Sequence, residues 1–235
     1  MTRYTTGNPH LDPSETERFA IGADVRKSPY IVGVEWYRLS RSDLVGQNTA
    51  NWAMQNLPEC SGNVTLNCIG RTGGDITIHD SYANIVDTEI SGITTRYAAT
   101  FPTNWGEIGM SGAWRHVISA ERHIAGNKQR YAISKNMARV RFMARHGNLT
   151  AVWTVNYRAA FGNQEGTGKF GSWTGHDAVL DWKDPLGLAG TRLATGVFNL
   201  TDAGLTVDTA NPDSVDGPTA AGWGRTFFLT FNMRF

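Results

Sequence analysis

Three patterns in the sequence predict an all-β, antiparallel fold whose strands carry one apolar and one polar face. The first is a period of two. Phe227, Leu229, Phe231, Met233 and Phe235 alternate with Phe228, Thr230, Asn232 and Arg234, which sends the two sets to opposite faces of a strand. The second is punctuation. There are 26 glycines and 8 tryptophans, and Gly, Asn, Thr and Asp crowd between the apolar runs, as they do between strands. The third is the sorting of connections, short and long in turn. A terminal strand that ends on an aromatic suits an outer face in lipid, with the last ring at headgroup level.

The elements follow in order. Residues 1–14 are rich in turn formers. Over 16–26, Phe19, Ile21, Ala23 and Val25 alternate with Arg18, Gly22 and Asp24. The turn Lys27-Ser28-Pro29 leads into a partner strand where Tyr30, Val32, Val34 and Trp36 lie opposite Gly33, Glu35 and Tyr37, so the two form a hairpin. Residues 41–82 read as one long irregular connection, of the kind that is usually functional. Two long strands follow, 83–101 and 105–122, joined by Pro102-Thr103-Asn104. Next are 137–145, the turn His146-Gly147-Asn148, and 149–160. A weaker strand at 175–183 turns through Asp184-Pro185-Leu186-Gly187 into 190–200, and the terminal strand closes the chain.

These are about nine strands. Their connections run short (27–29), long (41–82), short (102–104), medium (123–136), short (146–148), medium (161–174), short (184–189) and long (201–221). Such alternation marks a transmembrane β-barrel, with short turns on the periplasmic side and longer loops outside. A soluble sandwich has no reason to sort its loops by parity.

Composition is compatible with this. Net charge is +1 and charged residues are 18%, so no nucleic-acid-binding tail is indicated. Mean hydropathy is −0.33; a barrel averages lipid-facing and polar residues and so hides its membrane face from such an index. No run approaches the ~20 apolar residues of a membrane helix. Cys60 and Cys68 lie eight positions apart, and an even count at close range suggests a disulfide and an oxidising compartment. Two free thiols are the alternative.

Three stretches resemble a known family. Gly7-Asn8-Pro9-His10-Leu11-Asp12-Pro13-Ser14-Glu15-Thr16, followed by Gly22, is similar to the start of a mid-barrel strand in the TonB-dependent receptors. Gly196-Val197-Phe198-Asn199-Leu200-Thr201-Asp202 resembles their penultimate-strand ending. Gly222-Trp223-Gly224-Arg225-Thr226-Phe227-Phe228 through Phe235 resembles their closing strand. The resemblance implies that residues 1–235 form the C-terminal portion of a larger barrel of the 22-stranded type, in the outer membrane of a Gram-negative bacterium. Its implied function is energised uptake of a scarce ligand: an iron–siderophore complex, a cobalamin or an oligosaccharide. Its implied partners are outer-membrane lipid, the barrel-assembly machinery and, through a plug, the TonB system. In the family a signal peptide, plug and earlier strands precede this region, so the 235 residues are expected to be a truncated product or partial reading frame, not competent to transport alone. An odd number of antiparallel strands cannot close without a parallel seam, and open edges in hydrocarbon leave backbone groups unsatisfied.

For the chemistry, no catalytic arrangement and no cofactor is legible. Gly166-Thr167-Gly168-Lys169-Phe170 fails as a phosphate loop at two positions. His116, Glu121 and His123 match no standard zinc spacing, and Asp202, Asp208, Asp213 and Asp216 lack the spacing of a calcium loop. Arg139, Arg141 and Arg145 share a lumen face, with Arg158 on the next strand; they suit an anionic ligand or a plug's carboxylates, or are solvated lumen charge. Phe227, Leu229, Phe231, Met233 and Phe235 are the expected assembly signal. Two other classes are compatible with parts of the sequence. One is a small outer-membrane barrel hydrolase; the other is a soluble β-rich carbohydrate-binding module.

Overall fold

A computed structural model describes all residues except 48–52, 54–56, 58, 61–67, 73, 217–221 and 235. Phe235, the last member of the expected assembly signal, therefore lies outside the described residues. The first part of the chain contains β1 (Thr2–Thr6), β2 (Glu15–Lys27), β3 (Tyr30–Gly46), β4 (Cys68–Thr72) and β5 (Asp75–Ser81). The middle contains β6 (Ala83–Pro102), β7 (Glu107–Ile124), β8 (Asn127–Gln129), β9 (Asn136–His146) and β10 (Leu149–Arg158). The remainder contains β11 (Phe161–Gly162), β12 (Lys169–Phe170), β13 (Trp173–Lys183), β14 (Thr191–Phe198), β15 (Thr206–Val207), β16 (Val215–Asp216) and β17 (Thr226–Met233).

The largest sheet has the order β17-β14-β13-β10-β9-β7-β6-β3-β2, with β8 on β7. Each strand on this path neighbours the next long strand in sequence, so the path is a meander of the nine strands that alternation predicts. The pairs β7–β9, β9–β10, β10–β13, β13–β14 and β14–β17 are antiparallel. The sheet is open, with β2 and β17 at its ends. Contacts divide the chain into two compact units: residues 1–19, 38–90 and 119–131 form one, and residues 20–37, 91–118 and 132–235 the other.

The first unit corrects two expectations. Residues 1–14 are not all turn, and 41–82 is not one irregular connection. β3 continues to Gly46, β4 and β5 form a hairpin, and β1 adds to β5 in parallel, matching Thr2 with Thr77 and Thr6 with Ser81. Ile69, Ile78 and Cys68 make the small core of this three-stranded sheet. Asp80, almost fully buried, is paired with Arg3 across the β1–β5 ladder. A buried carboxylate is tolerable only with such a partner. Cys60 and Cys68 form a disulfide with Cα atoms 5.0 Å apart. Asn84 binds the segment before β2 to β3: its carbonyl accepts the Asp12 amide at 2.9 Å, and its Nδ2 donates to the Asp12 and Asp43 carbonyls at 2.8 and 2.6 Å.

In the second unit the short turns form a continuous hydrogen-bonded edge. Thr100 N donates to Pro29 O at 3.3 Å, Lys183 N to Asn148 O at 2.9 Å, and Arg234 N to Gly190 O at 3.0 Å. His146 Nδ1 bonds the Trp105 carbonyl and its ring stacks on Trp105. The long connections after β10 and β14 meet at the opposite end, where Phe170 bridges Asp208 and Asn163 Nδ2 donates to Asp208 Oδ2 at 2.8 Å. The parity of connection lengths thus becomes a spatial separation within this unit.

Strand register then sorts the side chains. One row across the outward face reads Phe227, Val197, Ala178, Trp153, Phe142 and Met110; the next reads Leu229, Thr195, Leu180, Ala151, Ala144 and Ile108. No Asp, Glu, Lys or Arg occupies the outward face of β9, β10, β13, β14 or β17 between their paired residues. Phe227 and Leu229 are each 71% exposed and Trp153 is 45% exposed. By contrast, Thr154, Asp208 and Asn199 are buried. Large apolar groups outside and polar groups inside invert the arrangement of a water-soluble domain, whose exposed apolar patches rarely exceed a few hundred Å².

Candidate ligand-facing wall

The opposite face of the same strands is built from the alternate positions. Arg139, Arg141 and Arg145 occur at a spacing of two and four on β9, so one face of the strand presents all three. Register places Arg141 beside Thr154, which lies beside Asp177; Arg145 lies beside Thr150, which lies beside Asp181. The result is a polar wall of about 600 Å³ of open hollow, bounded by the three arginines, Asp177, Asp181 and Arg192.

Its charges are partly matched. Arg192 donates through Nε to Asp181 Oδ2 at 2.7 Å, with a second contact from the same guanidinium. Arg145 reaches Glu107 at 3.4 Å. Asp177 accepts from Asn156 Nδ2 and from the Asn199 amide, both at 3.0 Å. Arg139 and Arg141 make no ion pair among the described residues. Two guanidiniums that line this hollow without an ion-pair partner of their own can bind an anion, and each presents a planar fork suited to an oxygen-rich ligand.

Arg158 shares this face of the sheet but is used elsewhere. Its guanidinium pairs with Asp216, donates to Thr206 Oγ1 at 2.8 Å and lies 5.0 Å from the Phe161 ring centroid. It fastens the connection after β14 to the end of β10 rather than facing the hollow. Lys183, Arg192, Asp177 and Asp181 were not among the residues singled out from sequence. Their signal was present: Asp177, Asp181 and Lys183 sit at even spacing on the strand predicted at 175–183.

The other groups weighed from sequence do not converge. His116 Nδ1 bonds Asn136 Oδ1 at 2.8 Å. Lys128 Nζ donates to Glu121 at 2.7 Å, and that hydrogen bond holds the Glu121 carboxyl below its ordinary range. Glu121 lies on β7 just before the three residues paired with β8, beyond the ten residues paired with β9. Asp202 accepts the Arg225 amide at 2.8 Å, while Asp208 is held by Asn163 and Asp216 by Arg158. Among the described residues no three His, Cys, Asp or Glu side chains are placed to hold a metal ion. Residues 163–168 are a hairpin tip organised by Asn163, whose Oδ1 accepts the Thr167 amide at 3.0 Å and whose amide donates to the Gly168 carbonyl at 2.9 Å.

No family model and no curated protein matches the sequence. Solved structures do match the fold. The FrpB iron transporter from Neisseria meningitidis superposes with a TM-score of 0.58 at 12% identity, covering 98% of this chain and 33% of that one. The siderophore receptor PirA from Acinetobacter baumannii gives 0.59 at 13% identity, covering 98% and 33%. The ferric enterobactin receptor PfeA from Pseudomonas aeruginosa, in an R480A mutant bound to enterobactin, gives 0.58 at 14% identity, covering 97% and 32%. The chain spans about a third of the length of these structures. All three are TonB-dependent receptors and none is an enzyme. In fold, therefore, the described residues are similar to a segment of the β-barrel of TonB-dependent receptors, an open antiparallel sheet with nine strands on its main path.

Proposed function

We propose that these residues form wall and outer loops of a TonB-dependent receptor in a Gram-negative outer membrane, and that the receptor takes up an anionic iron chelate of the siderophore class. The observation that carries the membrane reading is the inversion of faces in the second unit: Phe227, Leu229 and Trp153 point outward while Arg141, Thr154 and Asp177 share the inner face. The unmatched Arg139 and Arg141 favour an anionic chelate over a neutral oligosaccharide. Energy coupling requires the TonB system acting through a plug outside these 235 residues. Insertion requires the assembly machinery to read the edge of β17, where Phe227, Leu229, Phe231 and Met233 set the lipid face and Phe235 is the expected final aromatic. Pairing through a free backbone edge suits that role.

The ligand assignment is tested in cells whose sole iron–chelate receptor contains these residues. Arg139→Gln combined with Arg141→Gln is expected to raise the half-saturating concentration of a ferric catecholate at least about tenfold, since a charged hydrogen bond contributes roughly 1.5–3 kcal/mol. Uptake of radiolabelled iron at graded concentration is the measurement. Unchanged half-saturation in the double variant, at equal surface abundance, would remove the arginines from ligand binding.

A further inference from the structure

The outward face of the second unit is not uniformly bulky. Ala144, Ala151 and Ala178 sit among large neighbours and leave a hollow of about 620 Å³, rimmed by Ile108, Phe142, Trp153, Leu180, Val197 and Phe227. Register shows how the hollow arises. Ala144 and Ala151 are direct cross-strand partners, and Ala178 is the partner of Trp153 one row further on. A diagonal of three methyl groups therefore runs between two lines of large side chains. The sole side-chain heteroatoms on its outward lining are the Thr195 hydroxyl and the Trp153 indole nitrogen.

We propose that this hollow binds one acyl chain of a phospholipid in the periplasmic leaflet; the proposal rests on the membrane reading above. Three observations select that occupant. The outward face of these strands lacks any ionisable carboxylate, lysine or arginine, so it complements hydrocarbon and offers nothing to a charged partner. The hollow lies near the short turns: Ala151 is two residues from Leu149, where β10 begins, which is roughly 7 Å along the strand. That depth belongs to the leaflet on the short-turn side, which in such barrels is periplasmic and is the leaflet made of phospholipid. Finally, the row below the hollow is an interfacial belt, with Trp182 paired to Leu149, Leu149 to His146, and His146 stacked on Trp105. Aromatic and imidazole groups prefer headgroup level. A lipid headgroup at this belt sends its chain straight into the alanine trough.

The test fills the trough without adding polarity. Ala151→Leu with Ala178→Leu keeps the face apolar and leaves the inner face untouched. Wild-type and variant forms of a complete receptor that contains these residues are folded into phosphatidylethanolamine vesicles, extracted into mild detergent, and weighed by native mass spectrometry. The wild type is expected to retain one phosphatidylethanolamine molecule per chain and the filled variant none. Equal retention by both overturns the proposal, as does retention by neither. A mass corresponding to paired chains that the filling substitutions abolish would also overturn it, assigning the trough to a second copy. Site-resolved lipid contact along β10, measured on the same samples, separates the two levels of inference. Absent lipid contact sinks the membrane reading itself; intact lipid contact without a retained molecule sinks only the acyl-chain site.

Discussion

Phe227→Arg is expected to destabilise the membrane-inserted form by about 2–4 kcal/mol, whereas Thr230→Arg on the same strand changes it little. The two positions differ in face. Phe227 heads the outward row that continues through Val197, Ala178 and Trp153, near the middle of the ten residues of β10. Arginine there must either enter hydrocarbon or pull the strand toward the interface. Thr230 pairs with Ala194 on the inner face, in the row that contains Asp181 and Thr150, where a guanidinium meets polar groups. Slippage of β17 by one residue does not relieve the defect, because it turns Thr230 and Asn232 into lipid instead. The urea midpoint of each variant in lipid vesicles, read alongside its outer-membrane yield, measures the difference. Equal loss from both substitutions would mean that the two faces of β17 are not distinguished by their surroundings.

Gly112→Ala should be strongly damaging to the second unit, at about 1–3 kcal/mol for an overpacked site. A β-carbon at Gly112 would lie 2.6 Å from the Arg139 carbonyl oxygen and 2.6 Å from the Tyr97 hydroxyl. The carbonyl belongs to the neighbouring backbone, so moving the tyrosine alone cannot make room. Gly204→Ala is the internal comparison, because nothing lies within 4 Å of its added carbon. Thermal loss of the compact form on unheated gels is expected to shift markedly for the first variant and hardly at all for the second. A Gly112→Ala protein as stable as wild type would show that β7 and β9 are packed less closely than this geometry requires.

Much of this fold was legible in the sequence because a barrel wall is a repetitive object. Each long strand announces itself by alternation, and hairpin partners are adjacent in sequence, so the meander follows from local signals. The terminal strand is the clearest case: Phe227, Leu229, Phe231 and Met233 read correctly as one face. Boundaries were less certain. β14 stops at Phe198 instead of 200 because Asn199 and Asp202 adopt left-handed conformations (φ 53° and 54°), which short polar side chains tolerate. The β1–β5 ladder was not legible at all. It joins residues about 75 positions apart in parallel, and the buried Asp80 that disguises β5 as polar is neutralised by Arg3. No local pattern carries such a pairing.

For the inner wall, periodicity sufficed to group Arg139, Arg141 and Arg145 but could not say which charges would be matched. Arg145 and Arg192 find carboxylates on adjacent strands, and Arg158 finds one in a loop 58 positions away. Those assignments depend on register and loop path, which are properties of the folded sheet. The two arginines left without carboxylates are therefore a structural result, although each was visible as a residue from the start.

The most direct measurement is the environment of single spin-labelled cysteines introduced along residues 149–158 of β10 in the outer membrane. Native Cys60 and Cys68 are engaged in a disulfide, so labelling is confined to the introduced thiols. A lipid-facing outer surface predicts a period of two: labels at Ala151, Trp153 and Val155 collide with oxygen dissolved in lipid, and labels at Thr150, Val152 and Asn156 with a water-soluble nickel chelate. Uniform access of the nickel chelate along the whole strand would contradict it.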